Sequence, residues 1–333
     1  MSSTVLNLPL TVRAPAKINL GLFLGPSRAD GRHELVTVMQ SISLADELTL
    51  SWAPGGDDRV VCPGVPGPPD ENLAALALQA FRTATGWDAP ALELCIAKRV
   101  PVAAGLGGGS GDAAATLRLA AAASGLGDGE LLLELAAALG ADVSAQVAPG
   151  RWLARGAGER LHAPPDPRGS CGVLVLPCAA GLSTAAVYAQ ADRMSAPRSA
   201  SELDELAAVL AEELARGATL PSAELLHNDL QDAARVICRE VDPALAQARV
   251  AGADIALVSG SGPTVLGLFD GNDGPPRARA GARALAAERR AARVPEALAA
   301  EFVGAGFAGI APCPATVVAP PAGDPSIRHN LPR

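Results

Sequence analysis

Lysine is almost missing from this 333-residue chain: of 27 basic residues only Lys17 and Lys98 are lysine, and the other 25 are arginine. With 35 acidic residues the formal net charge is −8, which excludes a general polyanion-binding surface, so no nucleic-acid partner is expected. No Gly-Lys pair occurs, which excludes the Walker phosphate loop. Six cysteines (Cys62, Cys95, Cys171, Cys178, Cys238, Cys313) lie far apart without a CxxC pair, and a chain of this size needs no disulfide staples, so free thiols in a reducing compartment are expected. The start, MSSTVLNLPLTVRAPAK, lacks a basic residue followed by a long apolar run, so no signal peptide and a cytoplasmic location are expected. Phe302 to Gly323 is uncharged and nearly long enough to span a membrane, but its prolines and glycines oppose a helix. A strand around Ala315–Ala319 and a Pro-rich tail over 321–333 are expected there instead, and no membrane partner.

What is present is the composition of a folded enzyme, 49% hydrophobic and 19% charged, with a length that suggests two domains. Residues 10–50 alternate apolar runs with turn residues at Pro26–Gly31, which reads as antiparallel strands and hairpins. A helix over 70–85 capped by Asp70, a strand over 91–96, and helices over 112–123 (started by a Ser or Asp cap) and 128–139 follow. Strands return near 150–153 and 160–162, and the turn-rich PPDPRGS at 164–170 places a domain boundary between 1–165 and 166–320. The second half reads as strand 171–176, helices 201–216, 225–240 and 243–251, and strands 255–258 and 264–269. A solvated helix with a basic face is expected over 277–293.

Between Gly105 and Gly111 five of seven residues are glycine, just ahead of an alanine-rich helix. Bare backbone lets successive N–H groups close on an anion, and the first helical turn adds unpaired donors and partial positive charge. A phosphate cradle or a tight packing turn both fit. Gly109-Ser-Gly111-Asp-Ala-Ala114 also matches a relaxed dinucleotide fingerprint, which keeps an oxidoreductase open as an alternative.

Three stretches taken together, APAKINLGLFLGPSRADGRHEL (14–35), PVAAGLGGGSGDAAATL (101–117) and VSGSGPTV (258–265), resemble in order and spacing the signature motifs of the GHMP kinases. The resemblance covers roughly residues 10–320 and includes DENL at 70–73, LGADV at 139–143, LSTAAVY at 182–188 and HNDLQDAA at 227–234. It implies an α+β fold of two domains, a ribosomal S5 domain 2-like ATP-binding domain and a ferredoxin-like C-terminal domain, with the site in the cleft between them. It further implies transfer of the γ-phosphate of ATP, with Mg²⁺, to a small-molecule alcohol, by a monomer or homodimer. Homoserine- and mevalonate-type acceptors stand as alternatives to the cytidine diphosphate-linked methylerythritol of the branch that PAKINL and DGRHEL resemble most.

By the same resemblance, Lys17 and Asp142 form the catalytic pair: Asp142 takes or orients the hydroxyl proton and Lys17 offsets developing charge. The nucleotide loop comprises Pro101, Val102, Ala103, Ala104, Gly105, Leu106, Gly107, Gly108, Gly109, Ser110 and Gly111, with Ser110 offering a hydroxyl to phosphate or Mg²⁺. Asn72, Leu73 and Lys98 line the adenine pocket; a plain surface role is the alternative for Lys98. Asp112 reads as a cap or first-turn carboxylate. Asn19, Arg32, His33 and Tyr188, the sole tyrosine, surround the acceptor and its cytosine ring. Arg32 stands where the family usually has an aromatic, and a guanidinium plane can stack in its place. Ser144 replaces a usual proline beside Asp142, and the segment 270–306 looks longer than usual, with the arginine-rich helix as an addition.

Overall fold

The structure is a computed structural model that describes residues 8–312. Cys313, the expected strand at Ala315–Ala319 and the tail 321–333 lie outside the described residues.

The chain opens with a long antiparallel hairpin, β1 (Leu10–Ser27) and β2 (His33–Trp52). The separate apolar runs of the sequence are joined in two bent strands, with register shifts at Pro15/Lys17, Asn19/Gly21 and Leu24/Ser27 supplying the bends. Then follow β3 (Arg59–Val61), α1 (Leu73–Thr85), β4 (Leu92–Ala97), α2 (Gly108–Ser124), α3 (Gly129–Leu139), α4 (Ala141–Val147), β5 (Arg151–Gly156) and β6 (Arg160–His162). The second half holds β7 (Cys171–Leu176), α5 (Thr184–Met194), α6 (Ala200–Ala215), α7 (Gln231–Ile237), α8 (Val241–Val250), β8 (Ile255–Val258), β9 (Val265–Asp270), α9 (Gly274–Ala291), β10 (Leu298–Glu301) and β11 (Ala311–Pro312). One sheet runs β11-β1-β2-β4-β3, with β5 on β2 and β6 on β5, and the other runs β10-β7-β9-β8.

Local chemistry sets the helix ends. Asn72, not Asp70, caps α1: its Oδ1 accepts the Ala74 N–H at 2.9 Å, while Asp70 sits in a 3-10 turn (Pro69–Glu71) started by proline. Helix α2 starts at Gly108, four residues before the expected Asp112, on Gly107 with no side-chain cap. The helix expected over 225–240 is confined to α7, because Asn228 Oδ1 takes the Leu230 N–H and holds the preceding residues in a turn. The arginine-rich segment forms the expected helix with an exposed basic face, and its other side is packed. Ala278, Gly281, Leu285 and Arg289 of α9 are buried, and Arg289 donates to the carbonyls of Pro177 and Pro295 and to Gln247 Oε1; Arg279, Arg283 and Arg290 face solvent.

Ala113, Ala114, Ala115 and Ala120 let α2 lie close against the first sheet and α1, buried on nearly every side. A second apolar cluster crosses from one sheet to the other, uniting Ile18, Leu20 and Val38 with Val173, Val175 and Leu266 under Leu210 and Leu214 of α6. At about 1.5–3 kcal/mol for each large side chain removed from water, this shared cluster binds the two sheets into one body. The third lies under α5, α7, α8 and α9.

Asp229 pins the start of α7 to β1. It receives Arg198 Nε (2.8 Å) and Nη2 (2.9 Å), the Leu24 N–H (2.8 Å) and the His227 ring (2.9 Å). Burial alone pushes this carboxyl up, but the bonds from His227, Arg198 and Leu24 outweigh it and hold Asp229 well below the ordinary carboxylate range. A depressed native value means the unfolded chain binds the proton first as pH falls, so this stabilisation is full above about pH 4 and lost below it. Asp229→Asn is expected to lower stability by about 1–3 kcal/mol at pH 7. In urea unfolding the gap to the parent protein should narrow at pH 3.

Candidate active site

The glycine run is built by space as much as by backbone freedom. Gly105 (φ +75°) has no room for a side chain: a Cβ there falls 2.6 Å from the Gly262 carbonyl oxygen and 3.0 Å from that of Ser259. At Gly107 (φ +67°) it falls 2.8 Å from Lys17 Cγ. The Lys17 N–H donates to the Leu106 carbonyl (2.9 Å), so the loop is laced to β1 beside the lysine. The first helical bond of α2 runs from the Gly111 N–H to the Gly107 carbonyl (2.8 Å), which leaves the N–H groups of Gly108, Gly109 and Ser110 without an intrahelical acceptor. Side-chain space at Gly109 is open.

This turn walls a cleft of about 500 Å³ lined by every residue from Pro101 to Ser110 together with Asn72, Leu73 and Lys98. Gly111, also expected there, is instead buried against Gln146 and the Pro15 carbonyl. Cys62, Asp112 and the segment from Val65 to Pro69 also line it.

Lys98 is neither a surface lysine nor a lone pocket wall. Its ammonium lies 2.5 Å from Asp46 Oδ2 and 2.8 Å from Asp112 Oδ2, while Asp46 Oδ1 accepts the N–H groups of Arg99 (2.6 Å) and Val100 (2.8 Å). Asp112 stands in the second turn of α2 and is no cap; its Oδ1 is buried without a partner. Burial, reinforced by the charge of Asp46, pushes the Asp112 carboxyl well above the ordinary range even with Lys98 beside it. One ammonium therefore serves two buried carboxylates. Lys98→Met should cost about 3–5 kcal/mol, the usual penalty for stripping a partner from a buried ion pair, read as a lowered urea midpoint.

A second cavity, of about 350 Å³, adjoins the first and shares Gly105 and Gly107 with it. Lys17 and Asp142 both line it, with Lys17 Nζ 3.2 Å from Asp142 Oδ2. The lysine is buried, whereas the aspartate side chain is 43% exposed and faces the space. The ammonium also donates to Asn19 Oδ1 (3.0 Å), Asn19 Nδ2 to Thr37 Oγ1 (2.8 Å), and Thr37 Oγ1 to the Gly21 carbonyl (2.6 Å). This relay fixes the lysine head between two strands. The pair forms with Ser144 in the usual place of proline, buried and with its Oγ unpartnered.

SGSGP approaches from the other sheet. A Cβ on Gly260 (φ +55°) would stand 3.1 Å from Asn19 Oδ1 and 3.8 Å from Lys17 Nζ, and Asn228 Nδ2 holds the loop by the carbonyls of Val258 (2.8 Å) and Gly260 (2.7 Å). That contact gives HNDLQDAA its local purpose. Ser261 and Thr184, bonded through their hydroxyls at 3.0 Å, and Thr37 also line the cavity and were not anticipated. For Thr37 a signal existed: Leu35, Thr37 and Met39 alternate along β2 and all line the cavity, as a strand period of two requires.

Of the expected acceptor contacts, Asn19 and Tyr188 line this cavity. Burial and the charge of Asp142 push the Tyr188 hydroxyl up to about 12. His33 lies behind it, buried, 5.3 Å between ring centroids and tilted by 42°, with its Nε2 bonded to Ser27 Oγ (3.0 Å) and Asp192 Oδ1 (2.8 Å). Arg32 is a correction: its guanidinium is turned away onto Asp30 (2.8 and 3.0 Å), its side chain is 56% exposed, and it does not line the cavity. Asp30, two residues earlier in the same turn, captures it at less conformational cost than a stacked pose over an open slot.

Comparison with known proteins bears on this arrangement. The family model described as GHMP kinases N terminal domain matches residues 72–150, and GHMP kinases C terminal matches residues 206–304. The chain is 42% identical over 266 residues to 4-diphosphocytidyl-2-C-methyl-D-erythritol kinase of Streptomyces coelicolor, across 78% of this chain and 88% of that one. The enzyme of the same name from Anaeromyxobacter dehalogenans is 43% identical over 292 residues, across 85% and 86%. Among solved structures, a crystal structure of 4-(cytidine 5'-diphospho)-2C-methyl-D-erythritol kinase superposes with a TM-score of 0.69 at 33% identity, covering 88% of this chain and 99% of the other. A homoserine kinase from Cytophaga hutchinsonii also gives 0.69, at 15% identity, covering 93% and 99%, and shares the fold.

Proposed function

The chain belongs to the GHMP kinase family, and from that premise we infer that it transfers the γ-phosphate of ATP to the 2-hydroxyl of 4-diphosphocytidyl-2-C-methyl-D-erythritol. This is a step of the non-mevalonate, methylerythritol phosphate route to isoprenoid precursors. One observation carries the mechanism: the two cavities meet at Gly105 and Gly107, with the Lys17–Asp142 pair on the far side of that junction. A triphosphate seated on the free N–H groups of Gly108, Gly109 and Ser110 presents its end to the second cavity. The acceptor hydroxyl enters beside Asp142, which takes its proton as the new P–O bond forms and the bond to ADP breaks. Lys17, anchored by Asn19, offsets charge on the moving phosphoryl group. Tyr188 supplies a ring face for the cytosine.

No group of three His, Cys, Asp or Glu side chains able to hold a metal occurs among the described residues. A Mg²⁺ ion would be carried in on the ATP phosphates, with the hydroxyl of Ser110, which lines the first cleft, as the protein's contribution and water for the rest. The ion neutralises phosphate charge when bound. No described helix is long and apolar enough to cross a membrane, and we place the enzyme in the cytoplasm as a monomer or homodimer.

A coupled ADP-release assay with Mg-ATP tests the assignment. Turnover is expected with the cytidine-linked acceptor and not with homoserine or mevalonate. Turnover of either of those alone would retain the family and discard the substrate.

A further inference from the structure

We propose that Arg28 and Glu159 are positioning residues that clasp the outer wall of the second cavity, a role that rests on its assignment to the acceptor. Two hairpin tips of the first sheet lie side by side, the β1–β2 turn carrying Arg28 and the β5–β6 turn at 157–159, because Leu35 of β2 pairs with Gly156 of β5. Arg28 Nη1 bonds Glu159 Oε1 at 2.8 Å, and Glu159 Oε2 accepts the Ala157 N–H at 2.6 Å. The carboxylate folds back over Gly156 (φ +74°), where a Cβ would stand 2.5 Å from Oε1. A small residue is therefore built in to receive it.

Ala157 and Gly158 line the cavity; Arg28 and Glu159 do not. The ion pair thus acts through the backbone it holds. Arg28 also lies 3.6 Å from Asp30 and from Glu34, and Arg160 of β6 reaches Glu34 of β2 at 3.1 Å, so a second, more exposed pair joins the same hairpins; Arg28–Glu159 is the pair whose carboxylate also holds the Ala157 N–H. With side-chain exposures of 29% and 33%, the pair adds little to global stability. Its effect is confined to the placement of Ala157–Gly158, the part of the wall an acceptor meets.

Steady-state kinetics on Glu159→Ala and Arg28→Met should show the acceptor KM raised roughly 3- to 10-fold, with kcat and the KM for ATP unchanged. Arg28→Lys, which keeps the charge, should recover most of the loss. Hydrogen exchange over 154–162, measured without substrate, should be faster in both disruptive variants. An unchanged acceptor KM, an equal rise in the KM for ATP, or unchanged exchange would overturn the clasp. If the parent enzyme does not turn over the cytidine-linked acceptor, the substrate assignment falls, and the substrate-free exchange result still decides whether the clasp exists.

Discussion

Replacing Asp142 with asparagine is expected to lower kcat by about 10²- to 10⁴-fold while ATP binding is retained. The amide keeps the size of the carboxylate and still offers an oxygen to Lys17 at the position now 3.2 Å away, but it cannot take a proton. About 3–5 kcal/mol of barrier stabilisation is thereby removed from the chemical step alone. The nucleotide cleft is touched only at Gly105 and Gly107, which the substitution leaves in place. Single-turnover ADP release paired with calorimetric ATP titration separates the two effects. Wild-type turnover in the variant, or an ATP affinity that falls as far as the rate does, would remove Asp142 from the proton-accepting role.

Gly105→Ala is expected to be the most damaging single-methyl change in the loop. Two costs add. A left-handed backbone at φ +75° disfavours an L side chain by about 1–2 kcal/mol. The new methyl also meets the Gly262 carbonyl at 2.6 Å, a backbone atom that no rotamer change can move, and overpacking of this kind costs about 1–3 kcal/mol. The expected result is a lower urea midpoint with weakened ATP binding, because the loop must back away from SGSGP and carry the α2 donors with it. Gly109→Ala is the control for stability, since a Cβ there meets nothing within 4 Å. Equal unfolding midpoints for the two variants would refute the steric account.

Much of this was legible locally. Cys171–Leu176 and Ile255–Val258 read as strands because each is a short apolar run bounded by turn residues, and both pair with β9 over those same residues. The cap of α1 was misread because Asp70 and Asn72 are both capping residues, and the choice was made by Pro69, whose fixed φ favours the 3-10 turn that absorbs Asp70. The start of α2 reads late because glycine is a poor helix former, yet Gly108, where a Cβ would fall 3.1 Å from Val100 Cγ1, and the open Gly109 are its first residues. Lys98 was hardest. Its partner Asp46 lies 52 residues away on a strand with no motif around it, so nothing local signals the pair. Arg32 shows the converse limit: position within a motif does not place a side chain when a nearer carboxylate competes for it.

The seating of Gly105 against the Gly262 carbonyl also bears on how the enzyme is made. Synthesis runs from the N-terminus, and about 150 residues separate the loop from the segment that props it, roughly 8–30 s at ribosomal speed. Throughout that interval the nascent first half carries its glycine turn without its seat, and the lysine–aspartate pair without Gly260 beside it. Nucleotide capture is therefore expected to strengthen once β8 and β9 have left the ribosome, when the glycine turn gains its seat.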